Sequence, residues 1–150
     1  MAVSTQAPTV ERLDHWTLVS TDIERSKRFY TEVLGAQERD RSQPGRGGGP
    51  PAVRLANITI DFFEPDAIQP RPAPGGEGQH HAYIIKYDDF DTWRERFASF
   101  GVPLRFGQFG TRMSMLFDDP DGYHFEFTAP LESREKARQE LTSRGLEFET

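Results

Sequence analysis

One pattern in this chain occurs twice, and a repeat limits the folds open to it more than composition does. Leu13-Asp14-His15-Trp16-Thr17-Leu18-Val19 heads a strand-like run, followed by a helical pattern that closes at Leu34-Gly35. Gln79-His80-His81-Ala82-Tyr83-Ile84-Ile85 heads a second run, whose helix closes at Phe100-Gly101-Val102. Two units of roughly fifty residues are too few for a solenoid. A pseudo-symmetric pair whose sheets curve round a shared cup is the economical alternative.

Each unit reads βαβββ. In the first, His15 to Ser20 alternates as a half-buried strand does. Asp22 caps a helix with Ile23, Phe29, Tyr30, Val33 and Leu34 on one stripe, and Gly35 ends it. Gln37–Arg41, Ala52–Ala56 and Ile58–Glu64 follow as strands, with a flexible loop by composition over 42–51. A Pro- and Gly-rich stretch, 65–79, joins the halves. The second unit repeats the order: a strand from His80 to Tyr87, a helix from Asp89 to Phe100, then strands over Leu104–Phe106, Arg112–Phe117 and Tyr123–Thr128. Asp119-Pro120-Asp121-Gly122 makes the last turn. The expected class is α+β, a single domain over 1–150 with modules at about 11–65 and 79–130. Residues 1–10 are polar and expected to be loose. The tail, 131–150, has helix-forming composition, but its stripe of Leu131, Ala137 and Leu141 is thin, which predicts a surface or subunit-contact appendage.

Bulk properties exclude several functions. A net charge of −6 does not suit nucleic-acid binding. Cysteine is absent, which removes disulfides, thiolate ligands and thiol nucleophiles. The first nine residues lack the apolar core of a secretory signal, and no apolar run is long enough for a membrane span. The expectation is a cytoplasmic protein with a small-molecule substrate, no nucleic acid and no membrane.

Strand parity points to chemistry, because alternate residues face opposite sides. Tyr123, Phe125 and Phe127 form a helix-facing side, leaving His124, Glu126 and Thr128 opposite. Ile58, Ile60 and Phe62 leave Thr59 and Asp61 opposite; Trp16 and Leu18 leave His15 and Thr17. His15, Asp61, His124 and Glu126 therefore share the polar side of three strands. Unpaired buried carboxylates are costly, and a metal would pair them. In the second unit, parity favours His80, since His81 facing the cup would turn Lys86 toward the helix. Counting back from the two helix-ending glycines favours His81. Parity carries more weight, because a loop absorbs a one-residue insertion easily. Arg112 and Lys86 are available to steer an anion, with solubility as the default role of both.

The run from His15 to Asp22, then Arg25-Ser26-x-x-Phe29-Tyr30-Thr31-x-Val33-Leu34-Gly35, and Asp119-Pro-Asp-Gly-Tyr-His-Phe-Glu126, resemble the vicinal oxygen chelate superfamily. That group includes glyoxalase I, fosfomycin-resistance transferases, extradiol dioxygenases and bleomycin-binding proteins. The resemblance covers roughly residues 12–130. It implies paired βαβββ modules forming a curved mixed sheet round a metal-binding cup. It also implies a homodimer and a metal held by His15, His80 and Glu126. The spacing from His80 to Val102 is like that of fosfomycin-resistance proteins. Where glyoxalase-like members use a glutamate on the fourth strand, this chain has Asp61, a candidate base.

Two histidines and a carboxylate suit Fe2+, Mn2+, Ni2+, Co2+ or Zn2+. The expected function is a metal-dependent isomerase, lyase or transferase acting on a small oxygen-rich substrate by chelation and electrophilic catalysis. A non-catalytic drug- or metabolite-binding protein of the bleomycin-resistance type is the alternative. The presence of His15 and Glu126 argues against it. An Fe(II) dioxygenase is the second alternative, opposed by Leu116 at the family's tyrosine position and by the absence of a histidine over Gly107–Phe109.

Overall fold

The computed structural model describes residues 11–39, 49–66 and 80–150. The expectations for residues 1–10, most of the 42–51 loop and most of the 65–79 joint lie outside them. Among the described residues the chain forms two four-stranded mixed sheets with few helices, an α+β protein. The first unit comprises β1 (His15–Val19), α1 (Ile23–Arg28) running into a π turn over Phe29–Val33, β2 (Gln37–Arg39), β3 (Ala52–Leu55) and β4 (Ile58–Phe63). The second comprises β5 (His81–Ile84), a short 3₁₀ turn over Tyr87–Asp89, α2 (Phe90–Ser99), β6 (Arg105–Phe109), β7 (Arg112–Asp118) and β8 (His124–Pro130).

The strand orders match: β1-β4-β3-β2 and β5-β8-β7-β6. In each sheet the opening strand runs parallel to the last, and the other pairings are antiparallel. Helix ends match too. Gly35 and Gly101 both leave their helices at positive φ, +72° and +69°, a left-handed backbone that residues with a Cβ rarely adopt. The Asp22 carboxylate accepts the Arg25 N–H and so caps α1.

One face of each sheet is apolar, and these faces share a single core. Tyr30, Phe62, Phe90, Phe97 and Phe125 are fully buried there, each side chain contributing about 1.5–3 kcal/mol of burial. Tyr30 meets Phe62 of its own unit and Phe125 of the other, with ring centroids 5.4 and 5.8 Å away. Polar contacts bolt the units together beside this core. The Asp119 side chain accepts the Tyr30 hydroxyl at 2.7 Å and, with its other oxygen, the Asp121 and Tyr123 N–H groups. Burial raises the Asp119 pKa and, with the Asp119 charge, pushes Tyr30 well above the ordinary phenol. Asp121 accepts from Arg25, Ser26 and Thr21 of the first unit. Arg96 of α2 donates to the Val33 and Glu32 carbonyls at the end of the first helix. The DPDG turn thus joins the modules as well as leading into β8.

The tail corrects the expectation of an appendage. Its helix, α3 (Arg134–Ser143), packs on β6 and β7, and Ala137 and Leu141 are fully buried. Ala137 allows close approach and Leu141 fills the space beside it, while Leu146 and Phe148 beyond the helix pack against the same core. The chain then runs along the β6 edge: the Gln108 N–H donates to the Glu149 carbonyl at 2.7 Å, and the Glu149 N–H to the Phe106 carbonyl at 3.0 Å. The edge is covered by the chain itself.

Candidate metal centre

The face of each sheet turned away from the core is the open face, and parity in β1, β4, β5 and β8 decides what stands on it. In the first sheet Thr17 lies opposite Asp61 and His15 opposite Thr59, so His15, Thr17, Thr59 and Asp61 share that face. Asp61 and Thr59 are buried, whereas His15 and Thr17 are exposed. The His15 Nδ1 lies 3.1 Å from an Asp14 carboxylate oxygen. The His15 ring and the Arg12 guanidinium hold the Asp14 pKa below its usual range.

In the second sheet Ala82 lies opposite Glu126, Glu126 opposite Leu116, and Ser114 opposite Thr128. Glu126 is buried, and each of its oxygens has its own partner. The Ser114 hydroxyl donates to Oε1 at 2.6 Å, and the His80 Nε2 lies 2.8 Å from Oε2. The Ser114 and Thr128 hydroxyls are 3.0 Å apart, and neither residue is more than 1% exposed. His81 lies on the other side of β5, stacked on Trp16 with ring centroids 3.6 Å apart. Partial burial, and then the charge of His80, lower its pKa. Burial lifts the neighbouring Tyr83 phenol to about 12.

Of the residues singled out from the sequence, the fold therefore brings His80 to Glu126 and sets His15 beside the Asp61 row. It does not bring the two sets together: among the described residues of one chain, no three histidines or carboxylates are grouped to hold a metal. His124 pairs with Asp118, its Nδ1 2.5 Å from a carboxylate oxygen, at the strand end. Arg112 lines the groove that contains Glu126, and Lys86 is exposed just before the 3₁₀ turn. Ser114 was not singled out by sequence, although a serine between Met113 and Met115 is the signal that parity would use.

The donor chemistry fits half of a metal centre in one chain. An imidazole nitrogen and a carboxylate oxygen converge, and a buried hydroxyl fixes the carboxylate from behind. A two-donor set is too few for tight binding of a catalytic ion, which takes three protein ligands with an open position.

Fold and strand order define a class of α+β proteins built from paired βαβββ modules, and the family match makes it specific. The chain belongs to the Glyoxalase/Bleomycin resistance protein/Dioxygenase superfamily, whose model matches residues 12–127. It is 25% identical over 140 residues to the glutathione transferase FosA of Serratia marcescens, covering 93% of this chain and 96% of that protein. It is 28% identical over 131 residues to the metallothiol transferase FosB of Lysinibacillus sphaericus (strain C3-41), covering 84% and 88%. A glyoxalase/dioxygenase from Nostoc punctiforme shares the fold with a TM-score of 0.67 at 20% identity, over 88% of this chain and all of that one. So does a variant of the fosfomycin-resistance protein FosX from Listeria monocytogenes, complexed with Mn(II) and 1S,2S-dihydroxypropylphosphonic acid. Its TM-score is 0.66 at 23% identity, over 85% and 98%. No helix among the described residues is long and apolar enough to cross a membrane.

Proposed function

We propose that this protein is a divalent-metal-dependent enzyme of the transferase or lyase type, acting on a small oxygen-rich substrate at a site shared by two copies of the chain. The observation that carries the reading is the half-site: His80 and Glu126 converge on one open face, with His15 on the other and out of reach within a chain. His80 and Glu126 of one copy and His15 of the second would hold the ion. When bound, that ion would polarise two neighbouring substrate oxygens and stabilise negative charge on them. Ser114 keeps the Glu126 carboxylate turned toward His80 by occupying its other oxygen. Asp61, in the row next to His15, is the candidate for moving a proton. Leu116, between Glu126 and Arg105 in the register, puts an apolar side chain in the middle of the face.

A second copy is also suggested by exposed apolar groups. Leu13 and Ile84, 70% and 71% exposed, line a groove of about 690 Å³ beside His80. FosA is named a glutathione transferase and FosB a metallothiol transferase, which favours group transfer here.

The test is Mn2+ binding by His15→Ala, by Glu126→Ala, and by an equal mixture of the two refolded together. Each variant alone should hold less than about a tenth of an ion per chain, and the mixture about a quarter of the wild-type sites, one intact site in each mixed dimer. A mixture that stays empty refutes the shared site. A wild-type protein that takes up no metal refutes the enzyme reading. A protein that is monomeric throughout would favour a non-catalytic ligand-binding role, because a single chain supplies two donors.

A further inference from the structure

A row of residues runs across the open face of the second sheet. Ala82, Glu126, Leu116 and Arg105 are successive register partners across β5, β8, β7 and β6. Arg105 therefore stands two strands from Glu126, about 10 Å away on that same face. A groove of about 600 Å³ contains both, together with His80, Leu116, Phe109 and Arg112. Its ends are polar and its middle is not. At the near end are His80 and Glu126. Leu116 forms the floor, and the Phe109 ring lies against Gly107, where a Cβ would collide with it. At the far end the Arg105 guanidinium is half exposed, with the Glu149 carboxylate 4.0 Å from it. Backbone hydrogen bonds to the Gln108 N–H and the Phe106 carbonyl fix Glu149 in place.

We propose that this groove selects an elongated substrate: an oxygen pair at the Glu126 end, an apolar spacer over Leu116 and Phe109, and a carboxylate read by Arg105, with Glu149 opposing that charge. This deepens the metal-enzyme reading above and rests on it. A planar guanidinium meets a carboxylate through two parallel hydrogen bonds, a recognition that a lysine would not reproduce. Glu149 already stands beside Arg105 as a loosely held carboxylate of the chain's own. A substrate carboxylate would have to approach the same guanidinium against that negative charge, so Glu149 tunes selectivity without touching the near end.

Two probes of equal length separate the far end from the rest: 2-hydroxyoctanoate and 2-hydroxyoctanedioate, which differ in the terminal carboxylate. Calorimetric titration of the Mn2+-loaded protein should show the diacid binding about tenfold tighter than the monoacid. Arg105→Gln should bring the diacid down to the monoacid's affinity, and Arg105→Lys should recover part of the difference. Glu149→Gln should widen the preference by about threefold, a gain that a misfolded variant cannot mimic. Equal affinity of the wild-type protein for the two acids, or a preference that survives Arg105→Gln, overturns the proposal. So does Mn2+ uptake with binding of neither acid. Bound Mn2+ is measured on the same samples. A protein that takes up Mn2+ and the monoacid without preferring the diacid sinks this inference and leaves the metal-enzyme reading standing. A protein that takes up no Mn2+ sinks both.

Discussion

On the open face of β8, Glu126 is held from behind by Ser114 and flanked by His80, whereas on the open face of β1 His15 is exposed and meets its own neighbour Asp14. The sheets behind these faces differ in the same sense. The second carries α2 and, through β6 and β7, α3 and the chain end; the first carries α1 and its π turn. One module is a buttressed platform that holds His80 against Glu126, and the other presents His15 from an edge strand. The difference teaches that the repeat has divided its labour. In the proposed centre the second module would set the geometry and the first would complete it.

The largest test of that division is mechanical. Leu141→Ala removes a fully buried side chain from α3 and should cost about 2–5 kcal/mol in urea unfolding. A cost under about 1 kcal/mol would mean that α3 does not buttress the second sheet. Next, Ser114→Ala should weaken Mn2+ binding by roughly tenfold to a hundredfold, the range for removing a group that orients a ligand. The same change at Thr59, the hydroxyl opposite His15, should move the affinity less than about twofold. Equal losses at the two positions would break the asymmetry.

A smaller effect lies in the hairpins. The β6–β7 turn uses Gly110 at φ +60°, but the β3–β4 turn places Ala56 at φ +52°, where a Cβ is unfavourable. Ala56→Gly should stabilise the protein by about 0.5–1 kcal/mol, read as a higher urea midpoint at unchanged slope. The smallest effect concerns pH. Lys136, then Tyr87 and Arg144, hold the Glu140 carboxyl down to about 2. A depressed carboxyl stabilises the fold above its unfolded pKa, and the contribution is lost as pH falls toward 2. Glu140→Gln should therefore flatten the fall in stability between pH 4.5 and 2 while leaving the protein folded at pH 7. An unchanged slope would remove Glu140 from the support of the second module.

Much of this was legible from alternation and punctuation. Trp16 and Leu18 against His15 and Thr17, and Phe125 and Phe127 against Glu126, are split as a pleat requires, and the paired glycines mark both helix ends. Parity assigns a residue to a face but does not say which sheet faces which. That is why His15 and Glu126 could be put on one side of their strands without being in reach of each other. The packing of the tail is not legible from its stripe, because stripe width measures buried area, while Ala137 buries little area by approaching closely. The last strand-like contact left no signal, since one bridge at Glu149 has no period. The half-site hydroxyl of Ser114 was visible in the pattern, yet a short polar side chain reads as filler until its partner is known.

The carboxylate of Asp119 meets the Tyr30 hydroxyl across 89 positions of sequence. That single contact ties the histories of the two halves. A lineage that lost the acid would strand a buried phenol, and one that lost the phenol would leave one oxygen of a buried acid without its partner. Across relatives of this chain, positions 30 and 119 should therefore change together, whatever each has made of the groove.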